Sequence, residues 1–242
     1  MNKLARPRPE FRGPRPSAAR RSAVPSPRHA SSAAELLDAL FEAERTVRRL
    51  HKELGRSDRT AVLTAIASAI IGALQERDER EATVRLVSCA QVLAQFTGDQ
   101  TVDLLIDILG SEIAEAHQVA GEVLSEFALS RFKEVALGVE RALQRLPQDH
   151  AARLELPFLL QEIPEPGVVK LLQLFLQQQD PQALLAALEA CVERGDPELL
   201  PAIEALRSDR RIVELGDEEG ETEQAELGQL ATEACDLIRE GA

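Results

Sequence analysis

From residue 34 onward, apolar side chains return every three to four positions, the spacing that gathers them on one face of a helix. Leu184, Leu185, Leu188 and Val192 do so within Pro181-Gln-Ala-Leu-Leu-Ala-Ala-Leu-Glu-Ala-Cys-Val-Glu-Arg194. Read by this rule, the chain forms helices near 34–54, 59–76, 80–96, 100–110, 112–129, 131–146, 150–162, 167–179, 181–194, 197–207 and 227–240. Asp180-Pro181 and Asp196-Pro197 punctuate the series. Asp can accept hydrogen bonds from the free amides of a first turn, and Pro at the first helical position gives up only a donor that has no partner there. Pro157 and Pro164 are expected to kink or end their helices.

Two segments repeat each other. Gly98-Asp-Gln-Thr-Val-Asp-Leu-Leu-Ile-Asp-Ile-Leu-Gly-Ser111 aligns without a gap on Gly195-Asp-Pro-Glu-Leu-Leu-Pro-Ala-Ile-Glu-Ala-Leu-Arg-Ser208, an offset of 97. Further on, Gln118-Val-Ala-Gly-Glu-Val-Leu124 aligns on Gln229-Leu-Ala-Thr-Glu-Ala-Cys235 at an offset of 111, so the second copy holds 14 extra residues between its two helices. In that interval Arg211-Ile-Val-Glu-Leu215 has β-branched neighbours, Gly216-Asp-Glu-Glu-Gly220 has turn composition, and Thr222-Glu-Gln-Ala-Glu226 can return antiparallel. The interval reads as a β-hairpin near 211–226 inserted between two helices, serving as a contact element or as a plain loop. A lone helical pair leaves apolar surface on two sides, and stacking such pairs in a row covers both.

The blocks Gly195-Asp-Pro-Glu-Leu-Leu-Pro-Ala-Ile-Glu-Ala-Leu206, Asp209-Arg-Arg-Ile-Val213 and Leu227-Gly-Gln-Leu-Ala-Thr-Glu-Ala-Cys-Asp-Leu-Ile238 resemble the HEAT-repeat family, in its bacterial phycobilin-lyase-like subgroup. The likeness covers 180–240 most fully and 98–129 next. It implies an all-α fold, a right-handed α-solenoid of about five HEAT-like helical hairpins. The motif specifies a packing unit and carries no chemistry.

Composition narrows the core. Hydrophobic residues make up 44% of the 242, yet there is no Trp or Tyr and one Met, so Leu, Ala, Val and Ile must fill the interior, as close helix packing favours. Cys89, Cys191 and Cys235 lie far apart without a C-x-x-C pair and read as buried, reduced thiols. The longest apolar run, 61–74, is too short for a bilayer and reads as a helix buried on most sides. A cytoplasmic location is expected. Residues 1–33 hold eight basic residues and one acid among repeated Arg-Pro pairs, a disordered tail by composition, whereas 34–242 carries 20 basic and 40 acidic residues. The tail reads as a basic arm, a linker or a mis-assigned start.

Enzyme motifs are missing. His29, His51, His117 and His150 lack H-x-x-x-H spacing and an adjoining Glu, and no phosphate-cradling glycine motif occurs. No catalytic, cofactor or metal residues are expected, and no cofactor. An acidic body without Trp or Tyr also disfavours nucleic acid, except through the tail. What remains is a non-enzymatic scaffold or adaptor for a basic protein partner, with Glu189, Glu193, Glu198, Glu204, Arg211, Glu214, Asp217, Glu218 and Glu219 as candidate contact residues. The alternatives are a tetrapyrrole lyase or chaperone-like HEAT protein, and a nucleic-acid accessory acting through the tail. Leu36, Leu40, Ala43, Val47, Leu50 and Leu54 alternate by four and three, a coiled-coil seam that either caps helix 59–76 or joins two chains as a homodimer.

Overall fold

The computed structural model describes residues 32–216 and 222–241, so most of the basic tail and the candidate acids Asp217, Glu218 and Glu219 lie outside the described residues. The chain divides into two units, Met1–Thr46 and Val47–Ala242, and helix α1 (Ala33–Arg56) runs across the division. A reciprocal capping pair opens α1: Glu35 N donates to Ser32 Oγ at 3.2 Å, and Ser32 N donates to Glu35 Oε2 at 2.8 Å. No residue of α1 is buried. The expected cap on helix 59–76 is therefore not met along this seam, since Val47, Leu50 and Leu54 stay exposed within their own unit.

Beyond α1 the order is α2 (Arg59–Leu74), α3 (Glu79–Leu93), α4 (Asp99–Leu109), α5 (Ala114–Arg145), α6 (Ala152–Gln161), α7 (Gly167–Phe175) and α8 (Pro181–Arg194). A 3-10 turn, Pro197–Leu199, then leads into α9 (Leu200–Glu204), the strands β1 (Ile212–Gly216) and β2 (Thr222–Glu226), and α10 (Leu227–Gly241). Among the described residues the fold is all-α apart from this antiparallel hairpin, in which Ile212 pairs with Glu226 and Gly216 with Thr222. Asp caps recur at helix starts. Asp180 Oδ1 accepts from Ala183 N at 2.8 Å and Asp196 Oδ1 from Glu198 N at 3.0 Å, as the Asp-Pro pairs predict, and Asp58 and Asp78 do the same for α2 and α3.

Neighbours follow chain order. α2 packs on α3 and α4, α3 on α4 and α5, α5 on α6 and α7, α6 on α7 and α8, and α8 and α9 on α10. Each of these contacts joins helices no more than two places apart. The 112–129 and 131–146 helices form a single run, α5, broken only at Arg131, where φ −145° and ψ 46° leave the helical region. No loop intervenes, because Ser130-Arg131 offers neither the Gly nor the Pro that would end a helix.

The core is built of aliphatic side chains with Phe175 the largest fully buried one. Its most enclosed helix is α4, where Thr101, Val102, Leu105, Ile106 and Ile108 are wholly inaccessible. This corrects the expectation for the apolar run 61–74. α2 buries Val62, Leu63, Ile66, Ile70 and Ala73 but exposes Ile71, Leu74 and the small residues Ala61, Ala65, Ala69 and Gly72. The reason is position. α4 packs on helices before and after it in the series, whereas α2 packs chiefly on α3 and α4, which follow it. Pro157 lies inside α6 without ending it, and Pro164 falls between α6 and α7.

Arginines seal the ends of successive helices. Arg59 donates to Thr97 O and Arg131 to Phe96 O after α3; Arg153 reaches Leu143 O and Leu146 O after α5. Arg194 takes Gln161 O, Ile163 O and Glu165 O after α6, and Arg211 takes Gln178 O and Gln179 O after α7. These guanidinium groups bond carbonyls at the helix ends or in the connections just past them.

Candidate interaction surface

Two series of contacts run through the helices, α2, α4, α5 and α7 in one and α3, α5, α6, α8 and α10 in the other. The acids along them are not all treated alike. On α4, Asp99, Asp103 and Asp107 stand one turn apart and meet Arg141 and Arg145 of α5, with Arg141 NH2 3.0 Å from Asp103 Oδ1 and Arg145 NH1 2.6 Å from Asp107 Oδ1. Hydrogen bonding and charge from Asp103 hold the Arg141 guanidinium above its ordinary range. Close by, Glu134 pairs with Arg131, whose guanidinium lies 3.6 Å over the Phe127 ring. These charges are matched from within.

Other exposed or half-exposed acids are not so matched, among them Glu122 on α5, Glu155 on α6, Glu189 on α8 and Glu233 on α10. Glu122 accepts only a neutral bond, from Gln118 Nε2 at 3.0 Å. Glu155 lies 3.4 Å from His117 Nε2, while His117 Nδ1 hydrogen-bonds Leu109 O at 2.8 Å. Neighbouring atoms strip enough water from Glu189 to push its carboxyl above the usual range. Among the described residues, no Lys or Arg forms an ion pair with Glu122, Glu155, Glu189 or Glu233.

Of the candidates read from sequence, Glu189 and Glu193 are exposed on α8, and Gln182 of the same helix donates to Glu214 O of β1 at 3.4 Å, which brings Glu214 to that helix. Glu198 is exposed on the 3-10 turn and Glu204 on α9, where it pairs with Arg239 of α10. Arg211 is committed internally. Its Nε and NH2 hold Asp209 at 3.0 and 2.5 Å while NH1 clamps the end of α7, so it fastens the base of the hairpin. That pair depresses the Asp209 carboxyl and raises the Arg211 guanidinium. Val213 of β1 is buried, anchoring the strand on α8, and Ile212 is exposed.

Glu122 and Glu233 were overlooked, yet they occupy equivalent places in the two repeat copies, at the offset of 111. That equivalence was the available signal. No protein-family model matches the chain, and no curated protein matches it. Among the described residues, no His/Cys/Asp/Glu group is arranged to hold a metal, and no helix is long and apolar enough to cross a membrane. The three cysteines are buried and free, and burial pushes the Cys191 thiol up to about 12. His150 is lowered by burial, and its Nδ1 accepts from Ala152 N at 3.2 Å, a local turn bond.

Proposed function

We propose that the protein is a non-enzymatic, cytoplasmic scaffold that binds a basic protein segment along the outer face of α5, α6, α8 and α10. The observation that carries this is a contrast between acids: those of α4 are neutralised by Arg141 and Arg145, whereas Glu122, Glu155, Glu189 and Glu233 have no Lys or Arg partner among the described residues. A row of uncompensated carboxylates attracts cations and speeds encounter with them. Such a surface can reach the ~800 Å² per partner of ordinary interfaces without a deep pocket.

The architecture that would present this face is a right-handed α-solenoid of HEAT-like pairs within Val47–Ala242, with β1 and β2 as an insertion. The strictly local order of helix contacts supports it. A chain ending after Arg194 should then stay folded, because each pair in a solenoid leans only on its neighbours.

Pairing of two chains through helix 34–54 belongs to the same reading, supported by the exposed seam of α1.

The binding test is titration of the protein with an arginine-rich peptide, beside a variant with Glu122, Glu155, Glu189 and Glu233 all changed to Gln. The wild type should bind with an affinity that falls as salt rises, and the variant should lose at least tenfold. Equal binding by both would remove the acidic face from the proposal. Crosslinking and capture from native lysate with the same two proteins would then identify the physiological partner.

A further inference from the structure

We infer that two copies of α1 pair antiparallel, each lying against the other in reverse; the inference rests on the pairing of chains proposed above and adds its direction. The seam is open along its length, with Leu36 59%, Leu40 54%, Val47 45%, Leu50 47% and Leu54 38% exposed. It spans about 27 Å at the usual helical rise. Leu37 and Phe41 widen it at the N-terminal end.

The spacing has a mirror. Steps of four, three, four, three and four read the same in both directions about position 45. A reversed copy therefore sets Leu36 against Leu54, Leu40 against Leu50 and Ala43 against Val47, and the same three layers recur on the far side of a two-fold axis. Parallel copies would also align the seam, so charge must decide between the two.

Charge is split by halves. Glu35, Asp38, Glu42 and Glu44 occupy the first half of α1, and Arg45, Arg48, Arg49, Lys52 and Arg56 the second, with Glu53 the one acid among them. Parallel pairing lays acid on acid and base on base. Antiparallel pairing lays each acidic half on a basic half, with Asp38 level with Lys52, Glu42 level with Arg48, and Glu35 one position from the level of Arg56. The present ion pairs on α1, Glu42 with Arg45 and Arg49 with Glu53, are solvent-exposed and easily exchanged. Opposed helix dipoles favour the same direction.

The full-length chain tests this. Sedimentation equilibrium should give twice 26.5 kDa. Leu40→Glu with Leu50→Glu should halve the mass without lowering the thermal midpoint, because neither side chain belongs to the core. Direction is read from disulfides: an oxidised mixture of Leu36→Cys and Leu54→Cys chains should give mixed dimers, and Leu36→Cys alone should give none. Reversing the acids Glu35, Asp38, Glu42 and Glu44 to Lys should abolish pairing, and reversing Arg45, Arg48, Arg49, Lys52 and Arg56 to Glu in the same chain should restore it. Ready self-crosslinking of Leu36→Cys would overturn the antiparallel direction while leaving pairing intact. A monomer at every concentration, as when α1 docks on the open side of α2, would overturn both.

Discussion

Arg153 shows how one side chain can hold several elements. It is 2% exposed, and it donates to Leu143 O, to Leu146 O at 2.8 Å and to Gln178 Oε1 at 2.9 Å, without a carboxylate beside it. Burial alone lowers its guanidinium from the ordinary value. Removing it would leave two helix-end carbonyls and a buried amide without partners, each worth about 1–3 kcal/mol. Arg153→Met should therefore destabilise the chain by about 2–4 kcal/mol in urea unfolding, and Arg153→Lys should recover little, lacking the planar fork. Cys191 makes a pH-dependent prediction. Its folded value is raised to about 12 from 9.0 by burial, so the protonated thiol is favoured in the folded state. The contribution is whole below pH 9 and is lost as pH climbs toward 12, because the unfolded chain ionises first. Urea midpoints should fall across that window, and less steeply in Cys191→Ala.

At the scale of elements, two glycines within helices should respond oppositely to alanine. A Cβ on Gly138 would come 2.3 Å from Val102 Cγ1 and 3.2 Å from Val102 Cβ, where α5 crosses α4. Overpacking of this kind costs about 1–3 kcal/mol. Gly72 of α2 has nothing within 4 Å, so Gly72→Ala should stabilise by about 0.5–1 kcal/mol through helix propensity alone. Denaturation midpoints of the two variants should move apart. Much at this scale was legible beforehand: the Asp-Pro starts of α8 and of the 3-10 turn, and the hairpin, where the count of extra residues located β1 and β2. What could not be read was neighbourhood. The run 61–74 looked more apolar than 99–109, yet α4 is the enclosed helix, because enclosure depends on how many helices flank an element, which periodicity does not record. The division between 112–129 and 131–146 was legible and falls at the kink of Arg131, but that the two helices join there without a loop was not.

For the whole molecule, charge is the governing feature. A net charge of −13 makes the chain repel itself at low ionic strength. Salt should raise the thermal midpoint between about 0.01 and 0.15 M, where the screening length shrinks from ~30 to ~8 Å. A midpoint indifferent to salt would show that the internal pairs of Asp99, Asp103 and Asp107 already balance the repulsion. The candidate surface was only partly legible. Glu189 and Glu193 were named for it, but nothing in a linear pattern separates an acid facing an arginine, as Glu204 does, from one facing water. The excess of Arg over Lys, 24 to 4, gains a physical meaning once Arg59, Arg131, Arg153, Arg194 and Arg211 are seen closing helix ends. The loopless kink at Arg131 has a mechanical corollary. With no slack between the two halves of α5, a pull transmitted along the backbone cannot be absorbed there by straightening a loop. Stretching the chain from its ends should find this splice among the last places to give way, and two glycines inserted after Ser130 should turn it into a joint that yields early.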